Sequence, residues 1–389
     1  MVIRFPAPLS PGDTIAVTSP SSGVAERHRA RLNFAVSTLE ARGYKVVVGD
    51  CMDGATHVSA PAPDRAQELA TFLTDPTVRA VVPPWGGETA IDLLPLLDWD
   101  AIAAADPTWF VGFSDISTLI TPMTLLTGVA TVHGNNLMDT PYRVPDGLFT
   151  WLDIATRESG STFTQTSPGR YRSTGWDDYA THPEVSEFTL NAPGTWTRLD
   201  GGMGDVDVAG RLIGGCIETL CNVTGSPYAD VPKFVHEHAP EGLLVYVEAS
   251  DDNAFNICRN LHGMRLAGFF DHANAVLVGR THAADAPSLA QREAVLDALG
   301  TLGVRTRSSF RPQIGADLGP ETTSRWGSPK YNPLCQTDRE EVADGGWIDL
   351  ASGPAAADRS ADSELGGRRE RRNHRHRRPA RGFRRCRRR

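Results

Sequence analysis

The first 140 residues switch repeatedly between a strand-like and a helix-like periodicity, and few architectures accommodate that pattern. DTIAVTSP (13–20) is a short β-rich run closed by turn residues, ERHRARLNFAVSTLEARGY (26–44) carries apolar positions at helical spacing, and YKVVVGD (44–50) is again a strand. A helix around 64–74, the strand RAVVPPW (79–85), a helix after Gly87, the strand WFVGF (109–113), a helix from Asp115 and the run GVATVH (128–133) continue the alternation. Repeated βα units imply a parallel sheet with helices on both faces. In such sheets ligands collect at the carboxyl ends of the strands.

The pattern dissolves from about Pro141 to Asp205, where YRSTGWDDY and APGTWTRLDGG place Trp176 and Trp196 among polar residues. A segment of that length reads as a connection that also contributes to a substrate pocket. A second block starts near Val206: RLIGGCIETLCNVTG (211–225) reads as a turn entering a helix, GLLVYVEAS (242–250) as a buried strand, 253–266 as a helix and NAVLVGRTH (274–282) as another strand. The expected organisation is an α/β protein of two domains. An N-terminal domain (1–140) has a parallel sheet flanked by helices, 141–205 connects it to a smaller C-terminal α/β domain (206–304), and 305–389 is an atypical tail.

Composition bears on that tail. Residues 368–389 hold thirteen arginines and one glutamate, so the net charge of −8 hides a body of −20 over residues 1–367. An acidic body argues against nucleic acid as the main partner. From Arg305 onward only seven of 85 residues are Val, Ile or Leu, too few to offset the entropy of ordering, and disorder is expected there. With only three lysines in the chain, the arginine-rich end also matches what out-of-frame reading of GC-rich DNA yields. No run of 18 or more apolar residues and no signal-peptide pattern occurs, so a cytoplasmic location without membrane contact is expected. The six cysteines are scattered without CxxC or Cys/His clustering at metal-ligand spacing; they read as reduced, and neither metal nor cofactor is expected.

Three residues at the ends of β-rich runs carry possible chemistry: Ser114 after WFVGF, Glu248 ending LLVYVE, and His282 ending VLVGRTH. A serine hydroxyl needs a base to take its proton and an acid to hold the imidazole in the productive tautomer. GFSD is half a nucleophile elbow, with Gly112 two before the serine but Ile116 two after it. The N–H groups of Asp115 and of Gly87, in PPWGGE, are candidate oxyanion donors, with Gly86 the alternative to Gly87. Each residue also has a plainer role: Ser114 as a helix N-cap, Glu248 as a surface carboxylate, His282 as a loop histidine. His133, in VATVHGNN, is a competing base, and spacing alone does not choose between it and His282.

SPGDTIAVTSPSSG, WGGETAIDLLPLLD, VGFSDIS, RLIGGCIETLCNVTGSPY, LLVYVEAS and VLVGRTH, in this order over roughly residues 5–300, together resemble the LD-carboxypeptidase family of serine peptidases. The family includes muramoyltetrapeptide carboxypeptidases and microcin C immunity peptidases. The resemblance implies a metal-free Ser-Glu-His triad at Ser114, Glu248 and His282 and an oxyanion hole at the glycine pair and Asp115. It also implies a homodimer of two-domain subunits with the active site between the domains. The implied reaction is hydrolysis of the LD-amide of a murein tetrapeptide. Cleavage of a peptidyl- or aminoacyl-nucleotide antibiotic is the close alternative, and a non-catalytic peptide binder on the same fold a third. Two departures stand out: RTRSSFRPQIGADLGPETT (305–323) does not match the family's ending, and Cys216 stands where some relatives have asparagine.

Overall fold

In the computed structural model the described residues are 3–173, 175–194, 196–199, 206–281 and 283–300, all within one compact unit. His282 and the tail 305–389 lie outside them.

The alternating runs form a five-stranded parallel sheet of β1 (Thr14–Val17), β2 (Lys45–Val48), β3 (Val78–Val81), β4 (Trp109–Gly112) and β5 (Val132–His133), in the order β2-β1-β3-β4-β5. Between them run α1 (Arg29–Ala41), α2 (Ala62–Thr74), α3 (Trp99–Ala104) and α4 (Ser117–Thr127). Side chains alternate across a strand, and here both faces are apolar. Ile15, Val17, Trp109 and Val111 pack with Leu32, Ala35 and Leu39 of α1, while Ala16, Val81 and Phe110 pack with Leu69 of α2 and Leu119 of α4. The helix read after Gly87 is divided between a 3-10 turn, Ala90–Leu93, and the short α3. The chain lays down β2 outside β1 and then crosses to β3, so the strand order reverses between β1 and β3, where an open α/β sheet leaves a crevice.

Residues 141–205 are less featureless than their composition suggests. They contain α5 (Trp151–Ala155), with Thr150 and Asp153 forming a capping box, and a short antiparallel pair, β6 (Arg170–Tyr171) with β7 (Ala192–Pro193). Buried Arg31 of α1 ties this segment down: its guanidinium donates to the carbonyls of Met138, Pro183 and Val185 and lies 4.2 Å from the Tyr179 ring centroid.

The second sheet, β8 (Arg211–Cys216), β9 (Leu243–Glu248) and β10 (Ala273–Val278), is parallel in the order β10-β9-β8. It is accompanied by α6 (Ile217–Val223), α7 (Val231–His238), α8 (Ala254–Leu266) and α9 (Gln291–Leu299). The turn expected at RLIGG is instead strand β8. Its glycine pair is there for close approach, because a Cβ on Gly214 would land on the Tyr246 carbonyl and one on Gly215 would sit 2.7 Å from the Ser117 side chain. Backbone thus meets helix α4 directly, with Thr121 Oγ1 donating to Gly214 O at 2.7 Å. One apolar cluster runs continuously from Ile116 and Leu119 through Ile213 and Ile217 to Val245, Val247 and Leu261. No helix of the described residues is long and apolar enough to cross a membrane.

Candidate active site

Ser114 stands where β4 ends. It opens a 3-10 turn, Ser114–Ile116, that leads into α4, and its φ of 61° is the single positive value among the described non-glycine residues. A side chain held in the left-handed region costs of order 1 kcal/mol and persists only when its surroundings enforce it. The plain capping role does not apply, since Phe113 occupies the N-cap position of the 3-10 turn and Ile116 that of α4.

What enforces the turn is Asp115. Its buried carboxylate accepts from Ser21 Oγ at 2.6 Å, from the Ala90 N–H at 2.8 Å and from Thr118 Oγ1 at 3.2 Å. Ser21 follows β1, Ala90 follows β3 and Asp115 follows β4, so one carboxylate joins the carboxyl ends of three strands at the crevice. Ser21 Oγ in turn accepts the Thr89 N–H at 3.1 Å. Residue pattern alone did not single out Ser21; the run TSPSS immediately after β1 was the available signal.

The glycine pair presses on the same spot. A Cβ on Gly86 would lie 2.9 Å from Ser114 Oγ and 3.0 Å from the Asp115 nitrogen, whereas one on Gly87, at φ +147°, would collide with Ser21 and Ser22. A side chain at Gly86 would crowd Ser114 itself, and one at Gly87 would displace the Ser21–Ser22 segment that holds Asp115. The Asp115 N–H lies in the first turn of a helix, where backbone donors have no intrahelical acceptor.

Glu248 ends β9 in register with Cys216 of β8, whose N–H donates to Ser117 Oγ at 3.1 Å. That bond ties β8, the neighbour of the carboxylate strand, to α4, the helix that follows the Ser114 turn. Glu248 is half-buried with its Oε1 fully covered, and its charge, after burial itself, helps push the Cys216 thiol and the Tyr246 phenol up. A thiol raised in this way is not a nucleophile near neutral pH. Beyond β9 the chain is held by Glu218 of α6, whose Oε1 accepts the N–H groups of Ser250, Asp251 and Asp252 at 2.7, 3.1 and 3.3 Å. Glu88 faces this acidic rim. Burial raises its carboxyl above the ordinary range, reinforced by Asp115, Asp251 and Glu218.

His133 takes no part in this network. It pairs in register with Gly112, packs on Tyr246 with ring centroids 5.0 Å apart, and among the described residues neither ring nitrogen has a hydrogen-bond partner. Burial lowers it to about 4, so the ring is neutral at physiological pH. Among the described residues no hydrogen bond joins it to Ser114. His282, the other candidate, lies outside the described residues; Arg280, two residues before it, stacks on Tyr171 with the guanidinium 3.4 Å from the ring centroid.

A cavity of about 360 Å³ reaches Glu248 from beneath the 141–205 segment. Its walls include His133, Tyr171, Arg172, Trp176, Tyr246 and Arg280, and Ser114 is not among the lining residues.

Residues 15–134 match the model of the LD-carboxypeptidase N-terminal domain, and residues 209–308 match that of the LD-carboxypeptidase C-terminal domain. The chain belongs to the LD-carboxypeptidase family. Among its relatives is the microcin C7 self-immunity protein MccF of Escherichia coli, 27% identical over 282 residues, covering 70% of this chain and 77% of MccF. A protein of Streptomyces coelicolor named as a carboxypeptidase is 29% identical over 317 residues, 78% of this chain and 86% of its own. One of Bacillus subtilis, named as a murein peptide carboxypeptidase, is 25% identical over 288 residues, 71% and 75%. The MccF structure in complex with aspartyl sulfamoyl adenosine aligns with TM-score 0.60 at 25% identity, covering 76% of this LD-carboxypeptidase family member and 86% of that chain. The same protein has been solved with glutamyl sulfamoyl guanosine.

Proposed function

We propose that this chain is a serine peptidase whose nucleophile is Ser114, with His282 as its base and Glu248 as the carboxylate that orients the imidazole. Ser114 Oγ attacks the substrate carbonyl as His282 takes the hydroxyl proton, and the N–H groups of Gly87 and Asp115 hold the oxyanion. The C–N bond then breaks and His282 returns the proton to the leaving nitrogen. Water, deprotonated by the same imidazole, releases the acyl group from Ser114. The observation that carries this reading is the strained Ser114 turn, fixed by Asp115 at the point where the strand order reverses.

Two leaving groups suit the family. The cavity that reaches Glu248, with Trp176, Tyr171, Arg172 and Arg280 in its walls, favours a planar, anionic leaving group over the small D-amino acid of a murein tetrapeptide. The substrate class is accordingly an aminoacyl or peptidyl nucleotide, of the kind the MccF complexes hold, and murein tetrapeptide is the second reading. The acidic rim of Glu88, Glu218 and Asp251 favours a neutral or basic acyl group over an acidic one.

The test incubates the full chain with alanyl and aspartyl sulfamoyl adenosine and, separately, with murein tetrapeptide, and follows amino-acid or D-alanine release by mass spectrometry. Release from the alanyl compound, lost by about 10⁴-fold in Ser114→Ala, is the expected result. Release of D-alanine alone reverses the choice of leaving group. A folded protein that neither turns over any of these nor labels with a fluorophosphonate at Ser114 is a binder and not a hydrolase.

A further inference from the structure

Away from the cleft, α8 and α9 pack side by side and bring together three side chains of different chemistry. Cys258 and His262 are four residues apart and so share one face of α8, and Asp297 meets them from α9. We propose that Cys258, His262 and Asp297 form a zinc site that fastens α8 to α9.

The argument is geometric. Asp297 Oδ2 lies 3.3 Å from Cys258 Sγ and 3.2 Å from His262 Nε2, and the three ligand atoms all fall within 4.8 Å of one another. A tetrahedral zinc ion with a Zn–S distance of about 2.3 Å and Zn–N and Zn–O distances of about 2.0–2.1 Å separates its ligand atoms by about 3.3–3.6 Å. The two Asp297 separations are therefore nearly the edges of such a tetrahedron, and side-chain rotation that brings Sγ and Nε2 to the same spacing completes the three corners. Thiolate, imidazole and carboxylate together suit zinc better than magnesium or calcium, which take all-oxygen shells.

Charge and protons also balance. Without metal, the thiol and the Nε2–H both donate to Asp297, while His262 Nδ1 faces Arg265 Nη2 at 3.2 Å. On binding, the thiol proton leaves to solvent, the imidazole proton passes from Nε2 to Nδ1, and Arg265 turns aside. Thiolate and carboxylate then neutralise the dication. Side-chain exposures of 34% for His262 and 66% for Asp297 leave the fourth position open to water. Cys258 and His262 alone do not form a recognisable motif, because the third ligand comes from another helix.

The experiment uses the full chain, stripped with chelator and titrated with zinc by calorimetry, and with cobalt by absorption spectroscopy. Cysteines and histidines elsewhere are common to all samples, so the readout is the difference between wild type and Cys258→Ser, His262→Gln, Asp297→Asn and the triple variant. The side chains are partly exposed, and metal-free melting temperatures check that each variant folds. Wild type is expected to bind one more zinc per chain than the triple variant and to show a thiolate-to-cobalt band that Cys258→Ser loses. Each single variant should weaken binding more than about tenfold. Equal stoichiometry in wild type and triple variant, with no thiolate band, overturns the site.

Discussion

The two sides of the cleft are held in different ways. On the nucleophile side, β4 is buried along its whole length, and the Ser114 turn is anchored by Asp115 to partners 94 and 25 residues away in sequence. On the carboxylate side, every residue of β10, which flanks β9, is half-buried or exposed, and the loop after Glu248 is held at its partly exposed residues by Glu218 and, through Asp252, by Asn256 and Gln291. Backbone strain can be kept where several buried, long-range bonds converge, and the serine sits there. The carboxylate side has weaker support, and the two halves meet at bare backbone, Gly214 and Gly215 against β9 and α4.

That joint offers the harshest way to break the comparison. Gly214→Ala puts a methyl group onto the Tyr246 carbonyl, a backbone atom that cannot step aside. The expected loss is more than about 4 kcal/mol, read as a collapse of the denaturant midpoint. A near-normal midpoint would show that β8 and β9 are not locked together.

Asp115→Ala probes the well-anchored side. It leaves the Ser21 hydroxyl, the Ala90 N–H and the Thr118 hydroxyl without their acceptor in a buried site. A cost of about 3 kcal/mol is expected, with fluorophosphonate labelling of Ser114 falling in parallel. Glu218→Ala probes the other side. The three backbone donors it releases are partly open to water, so stability should drop by only about 1 kcal/mol, while kcat falls about tenfold as Glu248 loses its support. Equal effects of the two substitutions on stability would erase the contrast.

What the sequence revealed follows the same division. Strands and helices with strong periodicity, such as 14–17, 29–41 and 254–266, lie where their patterns place them. Ser114 was legible because a β-rich run breaks at GFSD. Strand β8 was not, because consecutive glycines signal a turn when read locally and reveal their purpose only when Tyr246 and Ser117 press on them. Asp115 suggested itself only for its N–H; its carboxylate's role depends on Ser21 and Ala90, which no local window contains. Arg31, a charged residue within a helical run, is fully buried because its partners come from 138–185. Long-range polar partners are the part of a site that periodicity does not encode.

The last effect, one of pH, concerns His133, at the seam between the two sheets. Its folded pKa of about 4 lies below the ordinary 6.5 because burial disfavours the charged ring. The unfolded chain therefore binds a proton that the folded chain refuses. Stability from this residue is fully present above pH 6.5 and is lost as pH falls through 4. The residue as a whole is only half-buried, so the loss is less than full linkage gives, about 1–2 kcal/mol. His133→Phe keeps the aromatic contact with Tyr246 and removes the titration. Its stability at pH 7 should match wild type, and its denaturant midpoint should fall less between pH 6.5 and 4. An unchanged acid slope would mean that the ring is protonated in the folded protein, and that the seam between the sheets admits water on the side where the carboxylate stands.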